Sequence, residues 1–302
     1  MENEVKVEKT NWWKSFLASE FFFHYKHNVP AMIGSVLVVF AVLVAVFGRF
    51  VAPQNPYDLT QISLIDSYLP PSWLEGGKAG YLLGTDAQGR DILSAIIYGS
   101  ASSIMIGLVG MAASCLIGTT LGLIAGYYGG KADALIMRIA DIQLSFPSML
   151  IALFIMSVFG RGVGKLLIAL TMVGWVTYAR TVRGETLSVK KMEYVEAART
   201  IGLPNRIIIV KHVLPNVVNS IIVLATIQIG NFILTEATLS FLGVGVPITK
   251  PSLGLLVKTG FDVLFSGLWW ASIFPGLYIM LIVFGINLLG DFLRDELNPN
   301  LK

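Results

Sequence analysis

The sequence has few charged residues and little asymmetry of charge. Charged side chains make up 14% of its 302 residues, against about 25% in an ordinary soluble domain. A soluble surface cannot be built from so few charges, so much of the surface is expected to face lipid. The net charge of +3 is small. Because no stripe of lysine and arginine accompanies it, nucleic acid is excluded as a partner.

Cysteine and histidine are also scarce, which limits the chemistry that the chain can perform. Cys115 is the only cysteine, so no internal disulfide and no cysteine-based metal cluster can form. The three histidines lie outside the long apolar segments, which excludes a Ser–His pair or a two-histidine metal site at membrane depth. Two glycine-rich strings, Gly160–Lys165 and Gly129–Lys131, lack the Ser or Thr that follows the lysine of a phosphate loop. We therefore expect no catalytic site, no metal and no cofactor on this chain.

Hydrophobic residues, in contrast, are abundant at 55% of the total. A membrane span needs about 20 mainly apolar residues, because a rise of about 1.5 Å per residue must cross about 30 Å of hydrocarbon. Helix is the predicted state, since the backbone of a span must satisfy its own hydrogen bonds. Six segments qualify and predict an all-α integral membrane protein: Ala31–Phe50, Ser102–Ala125, Leu135–Phe159, Leu166–Thr181, Pro215–Phe241 and Ala271–Phe292.

The distribution of lysine and arginine predicts the orientation. With the N-terminus inside, 15 of these residues lie on the cytoplasmic side and 7 on the outer side, which places both termini in the cytoplasm. The predicted organisation is a cytoplasmic N-terminal segment (residues 1–29), a six-helix transmembrane domain (30–293) and a cytoplasmic tail (294–302). The transmembrane domain includes an outer loop (51–99) and an inner loop (184–213).

Two segments outside the spans carry further signals. Asn11–Asn28 mixes aromatic residues with lysines before the first span, which favours a helix lying in the cytoplasmic interface over an unstructured tail. The outer loop is rich in proline and glycine, so it is expected to be irregular, and its length is more typical of a functional loop than of a linker.

The inner loop predicts a helix–turn–helix. Charged residues at helical spacing surround Tyr194, Ala197 and Ala198, and the pattern breaks at Gly202–Asn205. Glycine and proline together mark a helix stop and a turn, and a second short helix is expected over Arg206–Val213. Composition alone leaves two interpretations open: a docking surface for a partner, or an ordinary amphipathic connector.

Polar side chains interrupt the predicted spans at a few positions. Asp141 lies in the third span, and Asn231 and Glu236 lie in the fifth. An acid at the centre of a spanning helix costs about 2.5–3.5 kcal/mol, so such residues usually face a bundle interior or a water-filled path. A role in a pathway or a subunit interface is one interpretation, and an interhelical hydrogen bond is the other. For Asp141, a position near the membrane interface is also open.

Proline and glycine within the spans predict two structural features. Pro147 is expected to kink the third span or to free a carbonyl near it. Gly118, Gly122 and Gly126 form a ladder of small residues at a spacing of four, which predicts a close approach of helices.

Several runs resemble a known family. Glu196-Ala197-Ala198-x3-Gly202, followed by Leu214-Pro215, resembles the EAA loop of bacterial ABC importer permeases, and His212 before Val213-Leu214-Pro215 is typical of the oligopeptide/dipeptide permease branch. Four other runs resemble the C-type subunits of that branch, in the order that the family shows: Leu83–Asp91, Ala125–Arg138, Leu239–Gly245 and Gly290–Pro299. The chain departs from the family pattern at Ala95, at Val246–Gly254 and at Phe292.

This resemblance implies a type I ABC importer permease bundle in the bacterial cytoplasmic (inner) membrane. It implies that the chain forms a heterodimer with a homologous permease subunit, that two ATP-binding subunits dock on the cytoplasmic side and hold ATP and magnesium, and that an extracytoplasmic substrate-binding protein docks on the outer side. The coupling helix is expected over Met192–Gly202. The residues expected to couple it to the ATPase are Tyr194, Glu196, Ala197, Ala198, Arg199, Gly202 and Arg206.

The implied function is import of di- and oligopeptides by alternating access, with ATP hydrolysis by the partner subunits. Permeases of this branch also carry nickel chelates, glutathione, haem or oligosaccharides, and the sequence does not decide among these cargoes. A different class, a channel or carrier that works without ATP, remains the second alternative.

Overall fold

The computed structural model describes residues 19–58, 60–247 and 249–297. Within these residues the regular structure is helical, apart from an isolated β-bridge between Thr85 and Asp91. The first part of the predicted interfacial segment, residues 11–18, and the end of the predicted tail, residues 298–302, lie outside the described residues. The remainder of the interfacial segment contains a helix.

We number the α-helices in chain order. They are α1 (Glu20–His27), α2 (Val29–Phe47), α3 (Ile92–Tyr128), α4 (Gly130–Leu144), α5 (Ser148–Phe159), α6 (Val163–Val189), α7 (Glu193–Thr200), α8 (Asn205–Ile208), α9 (Leu214–Phe241), α10 (Leu253–Phe261) and α11 (Trp270–Leu297). A π-helical turn, Ile209–Val213, joins α8 to α9. Short 3₁₀ turns lie at Gly48–Phe50, Leu64–Asp66 and Leu264–Ser266.

Four helical stretches of the described chain are long and apolar enough to cross a membrane. They are Val29–Phe50, Ile92–Tyr128, Asn205–Phe241 and Trp270–Leu297. The pair α4 and α5 makes a fifth if the two are counted as one broken span. Helix α6, which contains the fourth predicted span, has 27 residues, but Lys165 and Arg180 lie near the ends of its apolar stretch.

The third predicted span, Leu135–Phe159, is two helices rather than one. Helices α4 and α5 meet at 88°, and the residues between them are Ser145–Pro147. Pro147 was expected to kink the span or to free a carbonyl, and the structure shows a stronger effect: one helix ends before Pro147 and a second begins after it. The ring removes the N–H that would continue α4 and disfavours helical backbone at Phe146. The Pro147 carbonyl then accepts the first hydrogen bond of α5, from Leu150 N at 3.0 Å.

Several boundaries also differ from the prediction. Helix α3 begins at Ile92, inside the predicted outer loop, because Asp91 caps it: its Oδ2 accepts from Ser94 N at 2.8 Å. Helix α11 continues to Leu297, into the predicted tail. Helix α10 was not predicted; Ser252 caps it by accepting from Leu255 N at 3.1 Å.

The glycine ladder packs α3 against α6, as predicted. A Cβ on Gly122 would lie 2.6 Å from the Ala179 carbonyl oxygen, and one on Gly126 would lie 2.6 Å from Thr186 Cβ. Neither position leaves room for a side chain, so the two backbones pack directly on each other. This contact is the most extensive between any two helices of the described chain, and it holds α6 in a fixed position beside α3.

The described residues of the segment 51–91 (all but residue 59) form an irregular loop that packs against α3 and α11, as the proline content predicted. Asp86 and Arg90 form a nearly buried ion pair in it, with Arg90 Nη2 2.6 Å from Asp86 Oδ2. The Gln54 side chain accepts from Asp91 N at 2.7 Å, which connects the loop to the start of α3. Burial raises the pKa of the Asp91 carboxyl and raises the pKa of Tyr57 to about 12. These contacts make the loop an ordered cover rather than a linker.

Candidate functional site

A polar cleft lies where the chain breaks between α4 and α5. We call it the Gln143 cleft; its volume is about 600 Å³. Helices α4, α5, α6 and α9 form its walls, and Leu144, Phe146, Ile151, Phe232 and Leu234 contribute apolar surface. Its polar side chains are those of Gln143, Ser148, Thr177, Gln228, Asn231 and Thr235.

The amides of this cleft are held by local hydrogen bonds. Gln143 Nε2 donates to the Val173 carbonyl at 3.1 Å, and Gln143 Oε1 accepts from Trp175 Nε1 at 3.0 Å. Asn231 Nδ2 donates to Gln228 Oε1 at 2.9 Å. Gln228 is buried, whereas Asn231 is exposed on the surface of α9. An exposed amide within a candidate span requires water or another protein beside it.

A second polar cleft lies nearer to α7, between α6, α9 and α11. We call it the Glu185 cleft; its volume is about 430 Å³. Its polar side chains are Thr181, Glu185, Asn216, Asn219, Ser220 and Arg294. Ser220 Oγ donates to Glu185 Oε1 at 2.9 Å, which ties α9 to α6 at this level.

The two clefts lie along one seam between α6 and α9. Thr177, Thr181 and Glu185 follow one another at a spacing of four on α6, and such residues share a helix face. On α9 Asn216 and Ser220 are also four positions apart, and Gln228 and Asn231 follow eight and eleven positions after Ser220. From residue 216 to residue 231 the helix rises about 22 Å. We call the two clefts together the polar groove; the polar side chains of its α9 wall are distributed over much of one candidate span.

Asn231 lies in this groove, but Asp141 does not. Asp141 is 3.5 Å from Arg180 Nη2 through its Oδ1, and both side chains are 55% exposed. An ion pair this exposed contributes at most about 1 kcal/mol. The placement favours a position near the membrane interface for Asp141 over a position in a path.

Glu236 is enclosed within the bundle, with 0% of its surface exposed. Its Oε2 accepts from Ser103 Oγ on α3 at 2.8 Å, and its Oε1 accepts from Ser240 Oγ at 2.8 Å. Both carboxylate oxygens thus have donors from this chain. The placement favours the interhelical hydrogen bond over a pathway or subunit-interface role for Glu236.

The inner segment forms the helix–turn–helix that its sequence predicts. Gly202 has φ +82° and open space around its α-carbon, so it makes the turn between α7 and α8. Val195 and Ala198 of α7 pack inward, in a cluster with residues of α3, α6 and α9. Ala198 is 4% exposed, so its side chain faces the bundle, and its expected part in coupling stays a prediction that would act through the position of α7. The exposed side chains of α7 include Glu193, Tyr194, Glu196 and Ala197.

The two arginines of this segment differ in their surroundings. The Arg199 guanidinium lies 5.7 Å from the centre of the Tyr127 ring, a cation–π distance. Arg199 is nonetheless exposed. Arg206 is exposed as well, and no carboxylate of the described residues pairs with it.

Tyr127 is a connecting residue that the sequence did not single out by its chemistry. Besides the contact of its ring with the Arg199 guanidinium, the Tyr127 hydroxyl donates to Asn205 Oδ1, at the start of α8, at 2.9 Å. Lys190 Nζ donates to the Gly126 carbonyl at 2.7 Å. The last turn of α3 is thereby joined to both helices of the inner segment.

Other groove residues were also missed: Thr177, Glu185, Gln228 and Arg294. For Thr177 and Glu185 the four-residue spacing on α6 was the available signal, but it shows that residues share a face and not that the face is open. Among the described residues no three His, Cys, Asp or Glu side chains group as metal ligands.

Comparisons with known proteins identify two matching family models. One, described as "Binding-protein-dependent transport system inner membrane component", matches residues 118–302. The other, described as "N-terminal TM domain of oligopeptide transport permease C", matches residues 15–71.

Individual proteins are similar over nearly the whole chain. The dipeptide transport system permease protein DppC of Haemophilus influenzae is 38% identical over 283 residues, covering 94% of this chain and 95% of that protein. The oligopeptide transport system permease protein OppC of Bacillus subtilis is 36% identical over 300 residues, covering 99% and 93%. The glutathione transport system permease protein GsiD of Pectobacterium atrosepticum is 36% identical over 305 residues, covering 100% and 94%.

Proposed function

Because this chain belongs to the binding-protein-dependent transport system inner membrane components, we propose that it forms one wall of the path by which an ATP-driven importer takes up di- and oligopeptides. The chain is a multi-pass inner-membrane permease subunit, not the ATPase. Several of its relatives are dipeptide or oligopeptide permeases, which supports peptides as the cargo.

The observation that carries this proposal is the polar groove along α6 and α9. Exposed amides and hydroxyls within a candidate span are costly against lipid, so they require water or a second protein. A homologous permease subunit facing the groove would enclose a polar path between the two chains. We infer that α6 and the α4–α5 pair also cross the membrane, which gives six spans with both termini in the cytoplasm.

The inner segment supports an ATPase partner. Helix α7 presents Glu193, Tyr194, Glu196 and Ala197 outward and is anchored behind by buried Val195 and Ala198. A helix anchored on one face and open on the other can act as a rigid lever. In this proposal it docks on one of two ATP-binding subunits, which hold ATP and magnesium, and an extracytoplasmic binding protein delivers the peptide. ATP-driven closure then moves the bundle between inward-open and outward-open states.

The experiment that tests the proposal is reconstitution of the natively purified complex in proteoliposomes. Mass spectrometry should recover a homologous permease, two ATP-binding subunits and a binding protein with this chain. Uptake of a labelled dipeptide should require ATP, magnesium and the binding protein. Recovery of this chain alone, with transport that needs no ATP, would instead establish the channel or carrier alternative.

Glutathione is the second candidate cargo, because the glutathione permease is similar over the full length of this chain. Glutathione is itself a tripeptide, so the same path chemistry would serve. Competition separates the two cargoes. Unlabelled dipeptide that suppresses uptake of labelled dipeptide, while glutathione does not, would assign peptides; the reverse pattern would assign glutathione.

A further inference from the structure

We propose that the Glu185 cleft is a binding site for short peptides in their zwitterionic form, at the end of the groove next to α7. This inference rests on the proposed function and adds a peptide site on this chain itself. The site would hold the cargo by its two charged ends, which every unmodified short peptide shares.

The two charges of the cleft come from different helices. Glu185 lies on α6 and Arg294 on α11, and α9 packs against both helices. Glu185 accepts from Ser220 through Oε1, and none of the described residues donates to its Oε2. Arg294 forms no ion pair within the described part of the chain. A peptide ammonium group matches the free carboxylate oxygen, and a peptide carboxylate matches the guanidinium in the paired geometry that arginine favours.

Amide groups on α9 suit the middle of the ligand. Asn216 Nδ2 donates to the His212 carbonyl at 2.7 Å, which leaves its own carbonyl oxygen available. Asn219 is exposed one helical turn further along. An amide side chain can both donate to and accept from a peptide bond, so recognition by Asn216 and Asn219 is independent of the peptide's sequence.

Apolar residues complete the cleft and suit side chains of different kinds. Val223, Leu224, Ile227 and Leu297 line it beside the polar groups. The volume of about 430 Å³ lies within the range of about 300–1,000 Å³ that is common for small-molecule sites.

Helix stability does not explain the position of Glu185. Helix α6 ends at Val189, so Glu185 lies in the C-terminal part of the helix, where the macrodipole gives a negative charge no stabilisation. Arg294, near the C-terminus of α11, is favoured by the same effect. The position of Glu185 therefore needs another explanation, and an ion pair with the ammonium group of a ligand provides one.

Photolabelling of the assembled importer tests this site. The complex is placed in lipid nanodiscs without the binding protein and irradiated with a dipeptide that carries a diazirine side chain, and mass spectrometry locates the label. We expect labelled residues within 181–185, 216–227 and 294–297. Glu185→Gln and Arg294→Gln should each reduce the labelling by about tenfold or more, the loss typical of one charge-assisted hydrogen bond.

Matched controls use the ion pair outside the cleft. Asp141→Asn and Arg180→Gln remove one acid and one base from α4 and α6 without altering the lining, so they should leave labelling unchanged. Competition by end-blocked dipeptides tests the wild-type complex without any substitution. N-acetylation should weaken competition about tenfold in the wild type but have no further effect in Glu185→Gln, and C-terminal amidation should behave likewise with Arg294→Gln.

The outcomes separate this inference from the proposed function. Equal competition by free and end-blocked dipeptides, or labelling confined to other segments, overturns the inference. ATP-dependent dipeptide uptake by the same purified complex, reconstituted in proteoliposomes with the binding protein, upholds the proposed function. If neither charge-dependent labelling at the cleft nor ATP-dependent uptake is observed, both the inference and the proposed function are overturned. Labelling at the cleft that is lost in the charge variants and retained in the controls supports the site.

Discussion

At the scale of single residues, the surroundings of a side chain decide its role more than its type does. Asp141 and Glu236 are both acids in predicted spans, yet one is half-exposed in an ion pair and the other is fully enclosed. The residue type alone does not distinguish Tyr127 from the other aromatic residues, but Tyr127 contacts both Arg199 and Asn205. Substitutions at these positions are therefore expected to have quite different effects.

Glu236 is predicted to be a stability residue. Replacing it with alanine leaves the hydroxyls of Ser103 and Ser240 without their acceptor and opens a cavity, which should lower the free energy of unfolding by about 2–4 kcal/mol. Glu236→Gln should recover much of the loss. Thermal unfolding of the purified complex in detergent measures both. Thr238→Ala is the control: this side chain is exposed on the same helix and its hydroxyl bonds only to the Leu234 carbonyl one turn earlier, so its removal should change stability by about 0.5 kcal/mol or less.

Tyr127 is predicted to link ATP hydrolysis to movement of the bundle. Tyr127→Phe removes the hydrogen bond to Asn205 and keeps the ring under Arg199, whereas Tyr127→Leu removes both contacts. We expect more ATP hydrolysed per dipeptide imported, modestly for phenylalanine and severely for leucine, with complex assembly unchanged. The measured quantity is that ratio in proteoliposomes. A wild-type ratio in Tyr127→Leu would show that these contacts do not transmit motion.

At the scale of elements, helix α7 of the inner segment has one face that packs on the bundle and one face that is exposed. On α7, Ala198 is on the buried face and Ala197 is on the exposed face. The two are adjacent in the sequence, and the family resemblance implied a coupling role for both. Sequence spacing could place them on different sides of a helix, but only the packing of α3, α6 and α9 shows which side is covered.

These two alanines provide a paired test of docking. Ala198→Glu puts an unpaired charge into the cluster, so it should loosen α7 and increase proteolysis of the inner segment. Ala197→Glu should leave proteolysis at the wild-type level but reduce copurification of the ATP-binding subunits and abolish ATP-dependent uptake. Normal uptake by Ala197→Glu would argue against docking through this face.

The loop of residues 51–91 should respond to acid through Asp66. A hydrogen bond from Lys78, 3.1 Å away, lowers the pKa of Asp66 below its usual value. Because the pKa is depressed in the folded state, the stabilisation is complete above the ordinary value of about 3.9 and is lost as the pH falls through the folded-state pKa.

Hydrogen exchange across residues 64–82, corrected for the intrinsic pH dependence, tests this. Exchange should be constant from about pH 8 to pH 5 and should rise at lower pH. Asp66→Asn is the matched variant and should lack the acid-dependent rise in this segment. An identical rise in the variant would assign the response to another group.

At the scale of the whole molecule, the groove along α6 and α9 implies that this chain is incomplete by itself. Its polar lining is open to one side, whereas α2 exposes almost entirely apolar residues such as Val36 and Phe40. One surface thus suits lipid and the other suits water and protein.

Cysteine labelling distinguishes these surfaces. In a Cys115→Ala background, Asn231→Cys should react with a water-soluble maleimide in the isolated chain, and the reaction should slow at least tenfold in the assembled complex in one of its conformations. Val36→Cys should stay unreactive throughout, because a lipid-facing thiol is shielded and remains largely protonated. Equal reactivity of Asn231→Cys with and without the partner subunits would place the subunit contact elsewhere.

Patterns local in the chain were enough to predict the membrane class, the helical state of the apolar segments and the helix–turn–helix. Twenty apolar residues must form helix in lipid, Gly202 and Pro204 must interrupt it, and a ladder of glycines must pack closely, whatever the rest of the chain does. The effect of Pro147 was predicted in kind, since a missing N–H breaks a hydrogen-bond ladder wherever it occurs. The family resemblance rested on such runs as well.

The angle of 88° between α4 and α5, the enclosure of Glu236, the burial of Ala198 and the opening of the two clefts depended on contacts between segments far apart in the chain. The periodicity of a helix identifies a face but not the neighbour that covers it. Ser103 reaches Glu236 across 133 positions, and Glu185 meets Ser220 across 35. Such pairings arise only when the helices pack, because packing determines which polar groups find partners inside the chain and which remain open to water.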